Sequence, residues 1–535
     1  MENMIPIPTQ TNVVAESPVS TVRLYSGVPW DNKYIHVRLY SGQSQLLSAL
    51  DKWKVKEINN LAPIRVGELT VKVPYHEMEM LNINYLAFQN PQMSDRWVFC
   101  FVTGINWQSR NSTTIVFELD TFQNEFYNCT MHPSFVEYMH IPKSEDTIGA
   151  NLNPVNIETG DPVVAYYDFY SLTNWHICAY ATEGTTGTEF EGKLCNNVYR
   201  AASLWHKAIT DPDAIDGDSG INALIKAYND QGKIDAIVAL FMAPELCVNV
   251  VADPGHEEDE KNISMHTSNL FEGYTPKNNK LYSYPWCYVL CDNNEGQGNI
   301  YKYELSDNSD HSIDFVLQGA LATMPQVICF PRNYKGNSLN YDDAMMISGF
   351  PQCAYSSDTF RAWIAQNKST LALSAVSAGA GILTGAVGIA GSPATGGLSG
   401  VAGVNAIGSS FQNVLSLIAT ASDKERLPAT VHGKILSENI NAAIGVTGYS
   451  FYTMSCKRQF AEIADSYFST FGYPINKIVQ PNIKSRSSWN YIKTKNIGLY
   501  GNVDIAELSK LRAIFDNGVT IWHTDDIGNY GLDNN

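Results

Sequence analysis

The residues that could carry chemistry are few, and each sits in a weak setting. Gly217–Gly220 reads GDSG, a tetrapeptide that can present a nucleophilic serine. A serine becomes a nucleophile only with a histidine base and an acid that orients the histidine. No histidine occupies the segment that such a scheme needs, and Ile221 stands where a second glycine would follow. The overlapping run Asp211–Gly220, DPDAIDGDSG, has the oxygen-rich look of a calcium loop. Its phase is wrong, because Ile215 takes a ligand position and Asp216 falls between positions. A solvated acidic turn explains the same residues. His76-Glu77 lacks the second histidine of a zinc-hydrolase helix and lies in a strand-like context, so it reads as a surface pair. Cys287 and Cys291 form the closest cysteine pair among ten, and two ligands do not make a zinc site. Isolated buried thiols are the plainer reading. The Gly-rich stretch Gly391–Gly397 is not followed by Lys-Ser or Lys-Thr, which argues against a phosphate cradle. Carboxylates are numerous enough to form a glycosidase pair by chance, and their spacing in sequence says nothing about separation in space. No catalytic residue, cofactor-binding residue or metal ligand is assigned, and no cofactor is expected.

The elements around these residues are mostly strands. Glu68–Val73 alternates, with Leu69, Val71 and Val73 on one side and Glu68, Thr70 and Lys72 on the other. Arg96–Thr103 and Thr113–Leu119 are aromatic and β-branched. The turn residues Ser109, Arg110, Asn111 and Ser112 lie between them, so an antiparallel pair is expected. Further on, Val163–Tyr170 and Trp175–Ala181 read as strands and Ile221–Tyr228 as a short helix. Asp235–Pro244 is buried but of undecided type, and His256–Glu260 reads as a solvated acidic loop. Cys456–Phe471 has helical spacing through Phe460, Ile463, Tyr467, Phe468 and Phe471, with Gly472 and Pro474 as the stop. Asp504 with Glu507 resembles a capping box. It opens a helix with an inner face of Ile505, Leu508, Leu511 and Ile514, closed by Asn517-Gly518. Val519–His523 then returns as a strand. No solenoid repeat is present.

The fold class expected is mainly β with some α. Barrel or sandwich domains would hold an inserted middle domain and a long uncharged hydrophobic hairpin loop. The expected divisions are 1–142 (N-terminal β-rich domain), 143–333 (inserted domain), 334–368 (connector), 369–422 (hydrophobic loop) and 423–535 (C-terminal part of the first domain). The chain of 535 residues has 11% aromatic and 17% charged residues, a globular balance that permits several domains. Its formal net charge is −18 and its pI about 5.0. Specific DNA binding needs basic surface against phosphate, so it is excluded as a main role. A surface past which DNA slides without sticking suits this charge. The N-terminal MENMIPIPTQ has no basic region followed by an apolar core, so a soluble nascent chain is expected.

The most distinctive stretch is Ser369–Ser422, which contains no Asp, Glu, Lys, Arg or His. Two apolar arms, Thr370–Ala390 and Leu398–Ala421, flank the polar tip at Gly391–Gly397. Each arm is long enough to cross a bilayer, which takes about 20 apolar residues as a helix. The first carries Leu371, Leu373, Val376, Ile382, Leu383, Val387 and Ile389. The second carries Val401, Val404, Ile407, Phe411, Val414, Leu415, Leu417 and Ile418. At roughly −0.3 to −0.6 kcal/mol per apolar side chain, the insertion gain of the first arm is only a few kcal/mol. Interspersed Gly, Ser and Thr weaken it further. Gly381 and Gly385 form a GxxxG pair that lets helices approach closely in lipid. Two readings fit this pattern: a metastable membrane-entering segment, and a Gly/Ala-rich buried helical hairpin.

Two blocks of the chain are similar to a known family. The first is Tyr85–Tyr127, YLAFQNPQMSDRWVFCFVTGINWQSRNSTTIVFELDTFQNEFY. The second runs through YFSTFGYPINK (Tyr467–Lys477), RSSWNYIKTKN (Arg486–Asn496) and LRAIFDNGVTIWH (Leu511–His523). With the uncharged arms between them, they resemble the tail-knob, or distal tail-tube, proteins of small short-tailed bacteriophages of the protein-primed kind. The resemblance covers both ends and the arms, while Lys143–Asn333 contributes little to it. It implies a homohexameric hollow tube at the distal end of the virion tail, made in the host bacterial cytoplasm. The N- and C-terminal β-rich parts would form the wall, attached to the upstream tail tube or connector. The arms would plug the exit, then leave it on infection and penetrate the host cell membrane. Viral DNA would pass through without specific binding. Two other classes are carried beside this one: a tail enzyme that cuts cell-wall or capsule polymer, and a receptor adhesin, each using the middle domain.

Overall fold

A computed structural model describes residues 19–62, 64, 67–90, 96–182, 184, 203–214, 217–233, 236–248, 258–321, 325–350, 352–354 and 447–535. The chain is mainly β, as expected, and divides into two compact units. One combines Met1–Asn156 with Ser466–Asn535, and the other is Ile157–Asp465.

The first unit is built on a six-stranded sheet. Its order is Lys54–Leu61, Ser20–Ser26, Ile83–Gln89, Trp97–Ser109, Ser112–Leu119 and Thr70–Val73. The expected hairpin is present: Trp97–Ser109 pairs antiparallel with Ser112–Leu119, and Ser109 faces Ser112 across the turn. The sheet is buried on both faces. Val22, Leu24, Val71, Val73, Leu86, Phe88 and Phe117 share one core cluster. Their neighbours one residue away, Tyr25, Tyr85, Ala87, Phe99 and Phe101, form another with Trp30. This is what period-two alternation does when both alternating sets are apolar. The unit also holds a five-stranded sheet in the order His36–Arg38, Val519–Trp522, Trp489–Lys495, Ser134–Met139 and Tyr473–Val479, and a two-stranded one of Leu499–Gly501 and Cys129–Met131. The last residues are pinned to the five-stranded sheet: Asn534 Oδ1 accepts from Ser488 N and Trp489 N, and its Nδ2 donates to Trp489 O.

Among the described residues the second unit holds three sheets. One has the order Val163–Ser171, Gly448–Ser455, Cys287–Asp292 and Gly298–Tyr301. Another has the order Ser203–Ala208, His176–Ala181, Ile237–Ala243 and Gln352–Ala354. The third joins Glu258–Ile263, Ile313–Ala320, Gln326–Tyr334 and Asn337–Leu339, with Met345–Ile347 also pairing with Gln326–Tyr334. Ile221–Asp230 is the short helix expected, with Ile221, Leu224, Ile225 and Tyr228 inward. The undecided run resolves as the strand Ile237–Ala243.

Three local readings are corrected. Glu258–Glu260 begins a strand rather than a loop, although Asp259 and Glu260 are exposed as a solvated run should be. Helix Arg458–Phe471 buries Ala461, Ala464, Asp465 and Phe468, while Ile463 is 59% exposed. Gly472 alone ends that helix, with φ +67° and its N–H bonded to Phe468 O at 2.9 Å, because Pro474 already lies in the next strand. In helix Ile505–Asn517 the expected Leu511 and Ile514 do point inward with Phe515, and Leu508 packs partly on the same core, but Ile505 is 81% exposed. Asp504 caps this helix by accepting from Ala506 N at 2.8 Å. Glu507 instead accepts from Thr121 Oγ1 and pairs with Lys510.

Candidate functional site

The apolar side chains named in the arms, Gly381 and Gly385, and the tip at Gly391–Gly397 all lie outside the described residues. What the structure places are the strands from which that part of the chain departs and to which it returns, and they belong to two different sheets of the second unit.

The departing strand is short. Gln352–Ala354 sits at the edge of its sheet, and among the described residues three pairs, Phe241↔Gln352, Leu240↔Cys353 and Ala239↔Ala354, hold it. Just before it, buried Phe350 meets the buried ring of Trp175 edge-on, 5.4 Å between centroids. The returning strand is longer and central. Gly448–Ser455 pairs antiparallel with Val163–Ser171 on one side and with Cys287–Asp292 on the other. Leu172 N donates to Thr447 O at 2.9 Å, fixing the point of return. Tyr449 is fully buried, and its hydroxyl is 2.8 Å from Val327 O and 3.2 Å from Met345 O. Burial pushes that hydroxyl far above its ordinary pKa, so it stays a neutral donor. Phe451 packs on Phe315 at 4.8 Å. Thr453 Oγ1 and Tyr303 OH lie 3.2 Å apart, and Ser455 Oγ accepts from Phe271 N at 3.1 Å.

Gly448 is required at this position by its neighbours. A Cβ there would overlap the Tyr170 carbonyl oxygen and stand 2.8 Å from Phe169 Cζ. Its own carbonyl accepts from Asn294 Nδ2 at 2.9 Å, and Asn294 Oδ1 accepts from Ser450 Oγ at 3.1 Å. The two anchors are therefore unequal. An edge strand of three residues opens locally at little cost, whereas a central strand must break ladders on two sides. Amides of Gly448–Ser455 are expected to exchange at least about 100-fold more slowly than those of Gln352–Ala354. Hydrogen-exchange mass spectrometry reads both, and equal protection would remove the asymmetry.

The other sequence candidates fall into ordinary structural roles. Ser219 Oγ accepts from Lys207 Nζ at 2.6 Å, and Lys207 also pairs with Asp211 at 3.4 Å. Asp211 Oδ1 accepts from Asp213 N, so the acidic turn bonds to itself. Ile215 and Asp216 are outside the described residues. His76 is not in a strand: it caps the short helix Glu77–Met80 by accepting from Met78 N. Cys287 and Cys291 are buried free thiols on one face of Cys287–Asp292, and burial pushes both well above the ordinary thiol pKa.

Several buried ionisable residues were not singled out by sequence, Asp465, Asp120 and His140 among them. Asp465 takes bonds from Tyr274 OH (2.7 Å), Lys277 N (2.9 Å), Asn278 N (3.0 Å) and Asn278 Nδ2 (2.7 Å). Asp120 caps Thr121–Glu125 by accepting from Gln123 N, and also accepts from Tyr85 OH at 2.9 Å. His140 accepts from Tyr491 N on Nδ1 at 2.7 Å, which places its proton on Nε2, 3.1 Å from Ser469 O. Only Asp120 had a visible signal, an aspartate directly before a helical segment.

Comparison with known proteins gives this architecture a family. Residues 252–535 match the family of the C-terminal domain of tail knob protein gp9 of Bacillus phage phi29. This chain belongs to that tail knob family. Residues 18–129 also match the N-terminus of caudoviral major tail proteins. The tail knob proteins gp9 of Bacillus phages PZA and phi29 are each 24% identical over 96% of this chain and 98% of theirs. In fold, the chain resembles the tail knob protein gp12 of bacteriophage C1, with a TM-score of 0.61 and 14% identity over 96% of this chain and 99% of that one. The blocks Tyr85–Tyr127 and Tyr467–His523 lie inside the matched regions, and the family match begins at residue 252, within the part where sequence reading found little. A tail knob protein is a structural component of the virion tail and not an enzyme.

Proposed function

We propose that this tail knob protein forms a homohexameric tube at the distal end of the tail, and that Ser369–Ser422 is its membrane-penetrating device. The reading rests above all on one observation: an uncharged, bilayer-length pair of arms in an otherwise acidic chain. Among the described residues no helix is long and apolar enough to cross a membrane, which leaves the arms as the candidates for that step. Marginal hydrophobicity suits a segment that is stable in two settings, stacked against its own copies in a lumen and inserted in lipid. Six-fold closure would bring Gly381 and Gly385 of several copies together. A net charge of −18 per copy suits a conduit that DNA traverses without binding. The upstream tail tube or connector, the host membrane lipid and the transiting DNA are the partners this reading requires. The domain limits expected from sequence, with 1–142 and 423–535 as wall and 143–333 outside it, are part of the same proposal.

Liposomes loaded with a self-quenching dye test it across acidic to neutral pH. The full-length protein is expected to release dye, and a protein lacking Ser369–Ser422 is expected to release none while keeping the same mass by light scattering. Release by both proteins, or by neither at any pH, would overturn the membrane role. A protein that stays monomeric at all concentrations would overturn the tube.

A further inference from the structure

The sheet of Val163–Ser171, Gly448–Ser455, Cys287–Asp292 and Gly298–Tyr301 is apolar on both faces. One face belongs to the core. Tyr301 and Phe451 are buried there, and each packs on Phe315 of the neighbouring sheet with ring centroids 4.8 Å apart. The register builds the other face row by row. Tyr167 pairs with Tyr452, Tyr452 with Leu290, and Leu290 with Ile300, so one apolar row crosses all four strands. The row beside it holds Val164, Met454 and Tyr288. Side chains along a strand alternate between faces, and burial alternates with them here. Tyr452 and Met454 are half-buried, between the buried Phe451, Thr453 and Ser455. The rings of Tyr167 and Tyr452 lie 5.0 Å apart, and Tyr284 extends the face with its ring 5.6 Å from that of Tyr288. Ile300 is 47% exposed and Val164 37%.

An antiparallel sheet with one face on a core normally turns polar residues to water on the other. Here the outward rows are aromatic and aliphatic. Strand and residue spacings make the face roughly 300–400 Å². That is the size of the largest apolar patch on a typical monomer, which often has a function. It is also about half of the ~800 Å² that one partner brings to a standard protein interface. The face therefore has the size of the apolar centre of a protein–protein contact. Charge narrows the partner. Two copies of a chain with a net charge of −18 repel each other over most approaches. Among the outward positions of these four described strands Asp292 is the one acidic residue, and Lys302 Nζ stands 4.4 Å over the Tyr284 ring at the margin. Two acidic copies can meet on this face without setting carboxylates against each other.

We propose that this face is covered by a neighbouring copy of the same chain. The inference rests on the homohexamer reading above. It supplies one of the two unlike surfaces that each copy in a closed ring must present to its neighbours.

Light scattering of the full chain over a range of concentrations tests it, with Ile300→Glu as the variant. Ile300 lies on an edge strand and is exposed in one copy, so the fold should survive, and an unchanged urea midpoint checks this. The variant is expected to need at least about tenfold more protein to assemble, because the contact would bury a charge without a partner. Iodination of the unaltered protein, assembled and diluted to single copies, gives a reading that needs no variant. Tyr167, Tyr284, Tyr288 and Tyr452 should lose labelling on assembly. A parent that assembles while the variant assembles equally well, or while these tyrosines label as before, would overturn this inference and leave the hexamer standing. Protection of the tyrosines by liposomes but not by assembly would overturn it in favour of a lipid-facing surface. A parent that stays monomeric would overturn the hexamer and this contact together.

Discussion

Asp465→Ala is expected to lower the stability of the second unit by about 3–5 kcal/mol, a range typical of breaking a buried charged hydrogen-bond set. The carboxylate is 1% exposed and satisfies four donors from the segment Tyr274–Asn278. Two of those donors are backbone N–H groups, which cannot turn to find another acceptor. Removing the carboxylate takes this acceptor from both, and for the buried Asn278 N–H a lost partner costs about 1–3 kcal/mol. The large substitution effect does not mean that the interaction itself is worth that much, because the folded state also carries the desolvation of the charge. Asp465→Asn keeps the shape but turns one acceptor into a donor facing donors, so it should fall between the two. Urea unfolding followed by fluorescence reads the loss as a shift in midpoint at unchanged slope. A shift worth less than about 1 kcal/mol for the alanine variant would show that water or a rearranged loop replaces the carboxylate.

The second large effect is a pair of opposed proton linkages in the first unit. Burial pushes the Asp120 carboxyl up to about 6, partly offset by bonds from Gln123 N and Tyr85 OH. Its unfolded value is about 3.9. Between about pH 4 and 6 the folded state holds more protons than the unfolded chain. Asp120 therefore makes the fold less stable as pH rises through that window, by roughly 3 kcal/mol in all. Burial pushes His140 down to about 3, against an unfolded value near 6.5. Here the folded state holds fewer protons, and its stabilising contribution is full above about 6.5 and is lost as pH falls towards 3. That loss is roughly 5 kcal/mol across the window.

From pH 6 to 4 the two slopes have opposite signs and nearly equal size. Their sum is close to flat there, and only below about pH 4 does the histidine act alone. Asp120→Asn should unmask the histidine, so that the first unit loses about 3 kcal/mol more than the unaltered protein between pH 6 and 4. His140→Asn, whose amide oxygen can accept from Tyr491 N, should tilt the profile the other way. Urea midpoints at half-unit pH steps decide this, and variants whose pH profiles run parallel to the parent would refute the compensation.

The strands were legible because their patterns are local. Arg96–Thr103 and Thr113–Leu119 announced a hairpin through β-branched and aromatic density around polar turn residues, and Trp97–Leu119 forms that hairpin. The helices were legible in place and in part of their inward faces, with Phe468, Leu511 and Ile514 buried as their spacing implies. The apolar ladder of Cys456–Phe471 pointed to Ile463 and Phe471, yet the helix turns Ala461, Ala464 and Asp465 inward. Small residues let a neighbour approach closely, and the bonds waiting at Tyr274–Asn278 outweigh the exposure of one isoleucine. In the same way, Ile505 reads as core by spacing but sits in the first turn, beyond the reach of Phe122 and Ile521, which cover Leu511 and Phe515. Asp465 and His140 were not legible, because their partners lie far away in sequence, and periodicity carries no information about such distances. The arms were legible as composition, and their role remains a proposal carried by that composition.

The order in which the ribosome delivers the chain bears on when this protein can assemble. His36–Arg38 is made long before its sheet partner Val519–Trp522, which lies far along the chain from it. Ser134–Met139 likewise waits for Trp489–Lys495 and Tyr473–Val479. The Ile157–Asp465 unit is contiguous and can fold while translation continues, whereas the five-stranded sheet cannot close until Val519–Trp522 has been made. A prematurely terminated chain would carry a folded second unit and an unclosed first one, and so could not mature into a tail knob.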